Sequence, residues 1–252
     1  INIIAVGGGK GGIGKSIVCT NLAIGMALSG QKVILMDTDF GSSNLHALLG
    51  INNPAHGFQD FFNEEISNKQ SLLIDTGISN LKFVSGAGDN PGSANINSEK
   101  INTVISFVKN LEASTIFLDL GPGINYNVID FFNISTQNVT LTTPEMTSVM
   151  KTFSFLRSAL FRKISLAFKD NPDIQKLVDH SNPENADIET YTTSLLRERF
   201  KEAFPDHLEE FNNIVKDFTP GLVVNRVRSK KDLLTGDNLI KLVKKFLEVE
   251  AT

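Results

Sequence analysis

Short runs that are apolar on both faces alternate along this chain with segments whose apolar residues recur every third or fourth position. Runs such as Val33-Ile-Leu-Met36 and Thr115-Ile-Phe-Leu118 are the pattern of strands covered on both sides. Strands are predicted at 1–6, 32–37, 81–85, 115–119, 138–142 and 221–226. Helices are predicted at 15–29, 43–49, 98–111, 125–133, 146–168, 173–180, 188–203, 206–217 and 237–248. This alternation predicts a doubly wound α/β fold, a mainly parallel sheet flanked by helices. From 169 to 219 the rhythm breaks into polar helical segments interrupted by Asn171-Pro172, Asn182-Pro183 and Phe204-Pro205. That stretch is long for a plain crossover and is expected to be a helical insert on one edge. Phe61-Phe62, Phe131-Phe132 and Phe153, Phe155 and Phe161 are expected in the core.

The 252 residues suit one large α/β domain or two small ones, and the expectation is a single domain carrying the insert. A net charge of −4 argues against a surface that is basic throughout, although Arg226, Arg228, Lys230 and Lys231 form a local basic run, expected in a solvated loop. The single cysteine, Cys19, excludes a disulfide framework and fits a reducing compartment. No apolar run is long enough to span a bilayer. The chain opens directly in a strand without a leader pattern or an initiator Met, so it is expected to begin slightly inside the true N-terminus. The four histidines lack ligand spacing and are expected to be surface or satisfied residues.

Chemistry concentrates where strands end. The first strand leads into "GGGKGGIGKS", residues 7–16, and then into a helical run. Gly9-x-x-x-x-Gly14-Lys15-Ser16 fits a phosphate-binding loop: glycines let backbone N–H groups converge on phosphate oxygens, and a helix N-terminus adds unpaired donors. Lys15 would reach the outer phosphates and the Ser16 hydroxyl a magnesium ion. Gly9-Lys-Gly11-Gly-Ile-Gly14 also fits a dinucleotide fingerprint, with Asp37 or Asp39 as ribose partner, but that reading leaves Lys15-Ser16 unexplained. Lys10, a second lysine in the loop, is needed by neither pattern.

Further strand ends carry "DTDFGSSNLHALLG" at 37–50, "FLDLGPGI" at 117–124, "LTTPEMTS" at 141–148 and "GLVVNRV" at 221–227. Asp39 is a candidate for orienting water against a γ-phosphate or for holding magnesium. Asp37 fits the same role or a loop cap. Asp119, closing an apolar strand, is placed as a Walker B acid. Pro144-Glu145 marks a junction near a nucleotide. Asn225 is suited to an adenine edge because an amide both donates and accepts.

Taken in order, Lys10-Gly-Gly-Ile-Gly-Lys15-Ser16, the 37–50 and 117–124 segments, "TTPEMTSV" and "VVNRVRSKKDLLTGDNLIKLV" resemble the deviant Walker A motif, the two switches and the later motifs of the MinD/ParA ATPases. The likeness covers about 1–168 and 219–248 and leans to the MinD/FlhG branch, FlhG being a flagellar number regulator. It implies a MinD-like P-loop NTPase of the SIMIBI class. It implies ATP or ADP with Mg2+ as cofactors, contacted by Gly9, Lys10, Gly11, Gly12, Ile13, Gly14, Lys15, Ser16 and Ile17 of the loop and by Asn225 and Arg226. It implies metal contacts from Ser16, Asp39 and Asp119, and catalytic roles for Lys10, Lys15 and Asp39. Lys10 would reach across a two-fold dimer to the partner's nucleotide, stabilising transition-state charge as an arginine finger does. The expected function is a slow ATPase switch, an ATP-sandwich homodimer that positions a flagellum, division site or chromosome. A protein activator or cargo, a membrane surface and nonspecific DNA are the candidate partners. The expected location is cytoplasmic, peripheral to the inner membrane face or at a pole. The further strand and amphipathic tail that relatives carry are expected to be absent after "KKFLEVEAT". Two other readings share the fold. One is an ATP-dependent ligase or kinase acting on a small acid; the other is a cluster carrier, which a single cysteine does not suit.

Overall fold

A computed structural model describes residues 1–41, 43–54, 56–62, 69–86, 97–179 and 192–252. Ser42, His180, Asn182-Pro183 and the 188–191 part of one predicted helix lie outside these. The chain divides into two compact units, Ile1–Leu141 and Thr142–Thr252.

The first unit holds β1 (Asn2–Gly7), α1 (Lys15–Leu28), β2 (Val33–Asp37), α2 (Leu45–Leu48), α3 (Phe58–Phe62), β3 (Ile74–Asp75), β4 (Leu81–Val84), α4 (Ser98–Lys109), β5 (Thr115–Asp119) and α5 (Tyr126–Asn133). β6 (Gln137–Thr142) closes it. Within it the strand order is β3-β4-β2-β5-β1-β6; β7 (Gly221–Val224) belongs to the second unit. β1 lies parallel to β5 and β6, and β2 parallel to β4 and β5. Only β3 is antiparallel to its neighbour among the registered pairs, and its two residues are too few to leave a pattern in the sequence. All five residues of β2 and of β5 are buried, which explains their unbroken apolar runs. On α1 the fully buried positions are Cys19, Ala23 and Ala27, small residues one turn apart. They let α1 lie close against the strands and place Cys19 in the core, where burial pushes its thiol up.

The second unit contains α6 (Met146–Ala167), α7 (Pro172–Val178), α8 (Thr193–Ala203), α9 (Leu208–Asp217), β7 and α10 (Lys230–Leu247). The expected insert is helical wherever it is described. Its prolines act as starts and stops: Asn171 Oδ1 accepts from the backbone N–H of Asp173 and Ile174, and Pro172 occupies the first turn of α7. The core joins Phe155, Leu160 and Ile164 of α6 to Phe168, Phe200, Phe211 and Leu239, with the Phe200 and Phe211 rings 4.6 Å apart.

Helix α10 begins seven residues earlier than its apolar pattern predicts. Ser229 and Asp232 form a reciprocal capping box that starts the helix, so Lys230 and Lys231 sit in its first turn and not in a loop. Phe61, Phe62 and Phe153 are half-buried rather than core residues, whereas Phe131, Phe132, Phe155 and Phe161 are buried. At the end of the chain, the Leu222 N–H donates to Thr252 O and the Thr252 N–H to Pro220 O, a parallel bridging pattern alongside β7.

Candidate functional site

Three segments of the first unit meet beyond the carboxyl ends of its strands, where an open parallel sheet presents its ligand crevice. The first is the loop from Gly7 to Gly14. Gly12 and Gly14 have φ of 72° and 98°, and Gly14 caps the N-terminus of α1 in the left-handed region. Gly8, one residue before the predicted motif, is the tightest point. A Cβ there would lie 2.7 Å from Leu141 O and 2.8 Å from Ile13 Cδ1. The signal for Gly8 was the middle glycine of "GGG", which the eight-residue motif does not require. Ile13 is buried, so any contact from it to a ligand comes from its backbone, whereas the Ile17 side chain faces solvent. Lys10 is half-buried, and its carbonyl accepts from Lys15 Nζ at 3.3 Å.

The second segment follows β2. Asp37 is almost completely buried and organises the loop around its carboxylate. Oδ1 accepts from the Asp39 N–H at 3.0 Å, and Oδ2 accepts from Ser43 Oγ at 2.6 Å and the Leu45 N–H at 3.2 Å. Of the two readings left open for Asp37, the geometry favours the loop cap. Burial pushes its carboxyl up, and these hydrogen bonds oppose the shift. Asp39 thereby projects toward the third segment, the turn after β5. A Cβ added to Gly121 would stand 3.2 Å from Asp39 Cγ, so a glycine is what lets this carboxylate approach the turn. A Cβ added to Gly11 would stand 3.8 Å from Pro122 Cβ, in ordinary van der Waals contact. Gly121 and Pro122 thus join the site, in the turn 121–123 that the sequence already marks as a loop able to move on contact with a γ-phosphate.

Asp119 ends β5 in register with Asp37. Its carboxylate is buried, it takes a hydrogen bond from the Ser16 hydroxyl, and its Oδ1 has no hydrogen-bond partner. Burial, partly opposed by Ser16 and Lys15, pushes this carboxyl up to about 7. Lys15 is buried too; burial lowers its ammonium below the usual lysine range, while Asp119 and Asp39 pull the other way. The structure therefore brings together Lys15, Ser16, Asp39 and Asp119.

A buried acceptor left without a partner is what a cation site presents before its ion binds. Among the described residues no cluster of three or more His, Cys, Asp or Glu could hold a metal by itself. Ser16 and Asp119 suit magnesium, which takes one or two protein oxygens and completes its shell with phosphates and water. Two histidines approach acids instead, His56 near Asp60 and His207 near Glu210, each at 3.9 Å.

Asn225 and Arg226 follow β7 in the second unit. The Asn225 N–H donates to Thr142 O, its Oδ1 accepts from the Arg226 N–H, and Arg226 has φ of 60°. Within the same unit Ser148 Oγ accepts from the Thr143 N–H at 3.0 Å, fixing the turn that holds Pro144 and Glu145.

A family model, ParA, described as "NUBPL iron-transfer P-loop NTPase", matches residues 1–166. The chain belongs to the ParA family of P-loop NTPases. Among curated ParA-like relatives, the septum site-determining protein MinD of Synechocystis is 31% identical over 168 residues, 65% of this chain and 62% of that protein. The antiactivator FleN of Pseudomonas aeruginosa is 26% identical over 159 residues, 62% of this chain and 56% of that protein. The chain spans about half to three-fifths of the length of these curated relatives. The solved MinD of Pyrococcus horikoshii, complexed with Mg-ADP, superposes with a TM-score of 0.54 at 21% identity, covering 67% of this chain and 65% of that one. This likeness agrees with the mainly parallel, helix-flanked sheet.

Proposed function

We propose that this ParA-family chain is a nucleotide-driven switch that binds ATP with magnesium, hydrolyses it slowly and pairs with a second copy while the triphosphate is intact. The observation that carries the reading is the convergence of Asp39 and Asp119 on Lys15, with the turn at Gly121 packed against the Asp39 carboxylate. A loop that senses the γ-phosphate and a loop that holds the metal shell are thereby in contact. Loss of the γ-phosphate would be felt by both.

In this mechanism the loop N–H groups from Gly9 to Ile17 surround the phosphates, and Lys15 neutralises their charge. Ser16 and Asp119 would hold magnesium, which would supply charge neutralisation at the phosphate oxygens. Asp39 orients the attacking water. Lys10 is assigned to the partner's nucleotide, and Asn225 with Arg226 to the base, as the resemblance implies. Ile17, Ile124 and Tyr126, each more than half exposed, give the first unit apolar surface beside its loops that suits a second copy. MinD and FleN relatives support placement of a division site or flagellum as the task; a protein activator and a membrane or DNA matrix are the partners the reading assigns.

The iron-transfer description is not carried over. A cluster held by thiolates needs several of them, and this chain's one cysteine is fully buried in α1.

Light scattering during size exclusion, with ADP and with ATP, tests the proposal, using Asp39→Ala to block turnover. Doubling of mass with ATP alone is the expected result. A monomer in every state, with a small acid accelerating ATP consumption, would replace it with a ligase or kinase.

A further inference from the structure

Asp39 is followed directly by Phe40, whose ring is buried and sits at the centre of an aromatic cluster. It lies 5.6 Å from Phe58 and 6.3 Å from Phe62 of α3, and 5.9 Å from Phe131 of α5. These are the separations of interacting rings. The partners are themselves anchored. The Phe58 N–H donates to Ser85 O beyond β4, Phe58 packs edge-on against Phe107 of α4 at 5.9 Å, and Phe58 and Phe131 are almost entirely buried. Lys100 of α4 lies over the Phe62 ring at 5.0 Å, closing the outer side. Helix α5, which carries Phe131, is the element into which the Gly121 turn runs.

We propose that Phe40 is a positioning residue: its ring, clamped between α3 and α5, holds the Asp39 carboxylate over Gly121 and ties the loop after β2 to the loop after β5. The inference rests on the proposed hydrolysis for its kinetic consequence, but not for its structural one. The backbone of Asp39 is held from one side by the Asp37 carboxylate and from the other by the adjoining ring. The hydrogen bond fixes the Asp39 N–H, and the buried ring anchors the backbone on the other side of the residue. Hydrophobic seats of this kind have discrete arrangements, so a displaced Phe40 would move both loops together.

The test compares Phe40→Leu and Phe131→Leu with Phe107→Leu, a substitution in the same cluster that touches Phe58 and Phe61 and not the Phe40 ring. Leucine keeps each site apolar and removes only part of the ring's volume, the mildest truncation of each seat. Phe40→Leu is expected to lower kcat about tenfold with the Kd for ADP changed by less than about threefold. Phe131→Leu should follow in the same direction. Phe107→Leu should lower the melting temperature comparably and leave kcat within about twofold of the parent. Hydrogen exchange at the Asp39 and Leu45 amides of the nucleotide-free protein should quicken in Phe40→Leu and not in Phe107→Leu. Equal kinetic effects from all three changes, or unchanged exchange in Phe40→Leu, would overturn the proposal. If the parent protein does not turn over ATP at all, the switch reading falls, and the exchange data alone still decide whether Phe40 holds the loop.

Discussion

Asp119→Asn is expected to make the nucleotide-free protein more stable while removing its magnesium-dependent ATP turnover. The carboxylate is buried at the end of β5, its Oδ1 is unpartnered, and it titrates near 7 instead of in the ordinary carboxylate range. Holding it ionised above neutrality corresponds to roughly 4 kcal/mol against the folded state. The raised value fixes the sign. The folded protein binds this proton more tightly than the unfolded chain, so the carboxyl's contribution to stability is greatest at acid pH. It falls as pH rises from about 4 to about 7, then levels off. Buried Asp37 shifts in the same direction and adds to the slope. Asparagine keeps the shape and removes the charge, so urea unfolding at pH 8 should yield a gain of about 1–3 kcal/mol, the new amide donor lacking a partner of its own. The stability difference from the parent should nearly vanish at pH 4. Turnover in magnesium should fall by about 10³-fold, because the acid that fits the metal shell is gone. Unchanged stability at pH 8 would mean that the carboxylate is not held against its solvation.

Lys10→Ala is expected to lower ATP turnover by about 10²-fold or more and to abolish ATP-dependent pairing. An arginine supplied in trans to a phosphoryl-transfer site is worth about 10³–10⁵ in rate, and a lysine acting as a point charge falls toward the lower end. Nucleotide affinity of the monomer should change little, because Lys15 occupies the buried position within this chain's own loop. Sedimentation with ATP and mixing with an Asp39→Ala chain provide the check. A Lys10→Ala chain that still holds its own Asp39 should recover turnover when paired with a chain that supplies Lys10. Full activity and pairing in Lys10→Ala would remove the trans-acting cation from the mechanism.

Much of this was legible in the residues. β2 and β5 announce themselves as unbroken apolar runs, and the glycine spacing with Lys15-Ser16 marks the phosphate loop before any fold is known. What the sequence concealed are relations across distance. That Gly121 faces the Asp39 carboxylate follows from β2 and β5 lying side by side, an adjacency that their separation along the chain does not encode. The cluster around Phe40 draws its rings from α3, α4 and α5, and α3 is too short to carry a helical period. The early start of α10 was readable from Ser229 and Asp232, but the basic run from Arg226 to Lys231 favoured a solvated loop. Asp37 and Asp39 are alike in sequence, and only burial separates a residue that builds the loop from one that faces the crevice.

The contact of Gly8 with Leu141 has one last consequence. A loop seated this firmly on the neighbouring strand is already in shape before any nucleotide arrives, so little conformational entropy is lost on association. In the proposed switch, discriminating a triphosphate from a diphosphate would then fall to the turns at Asp39 and Gly121, which meet each other.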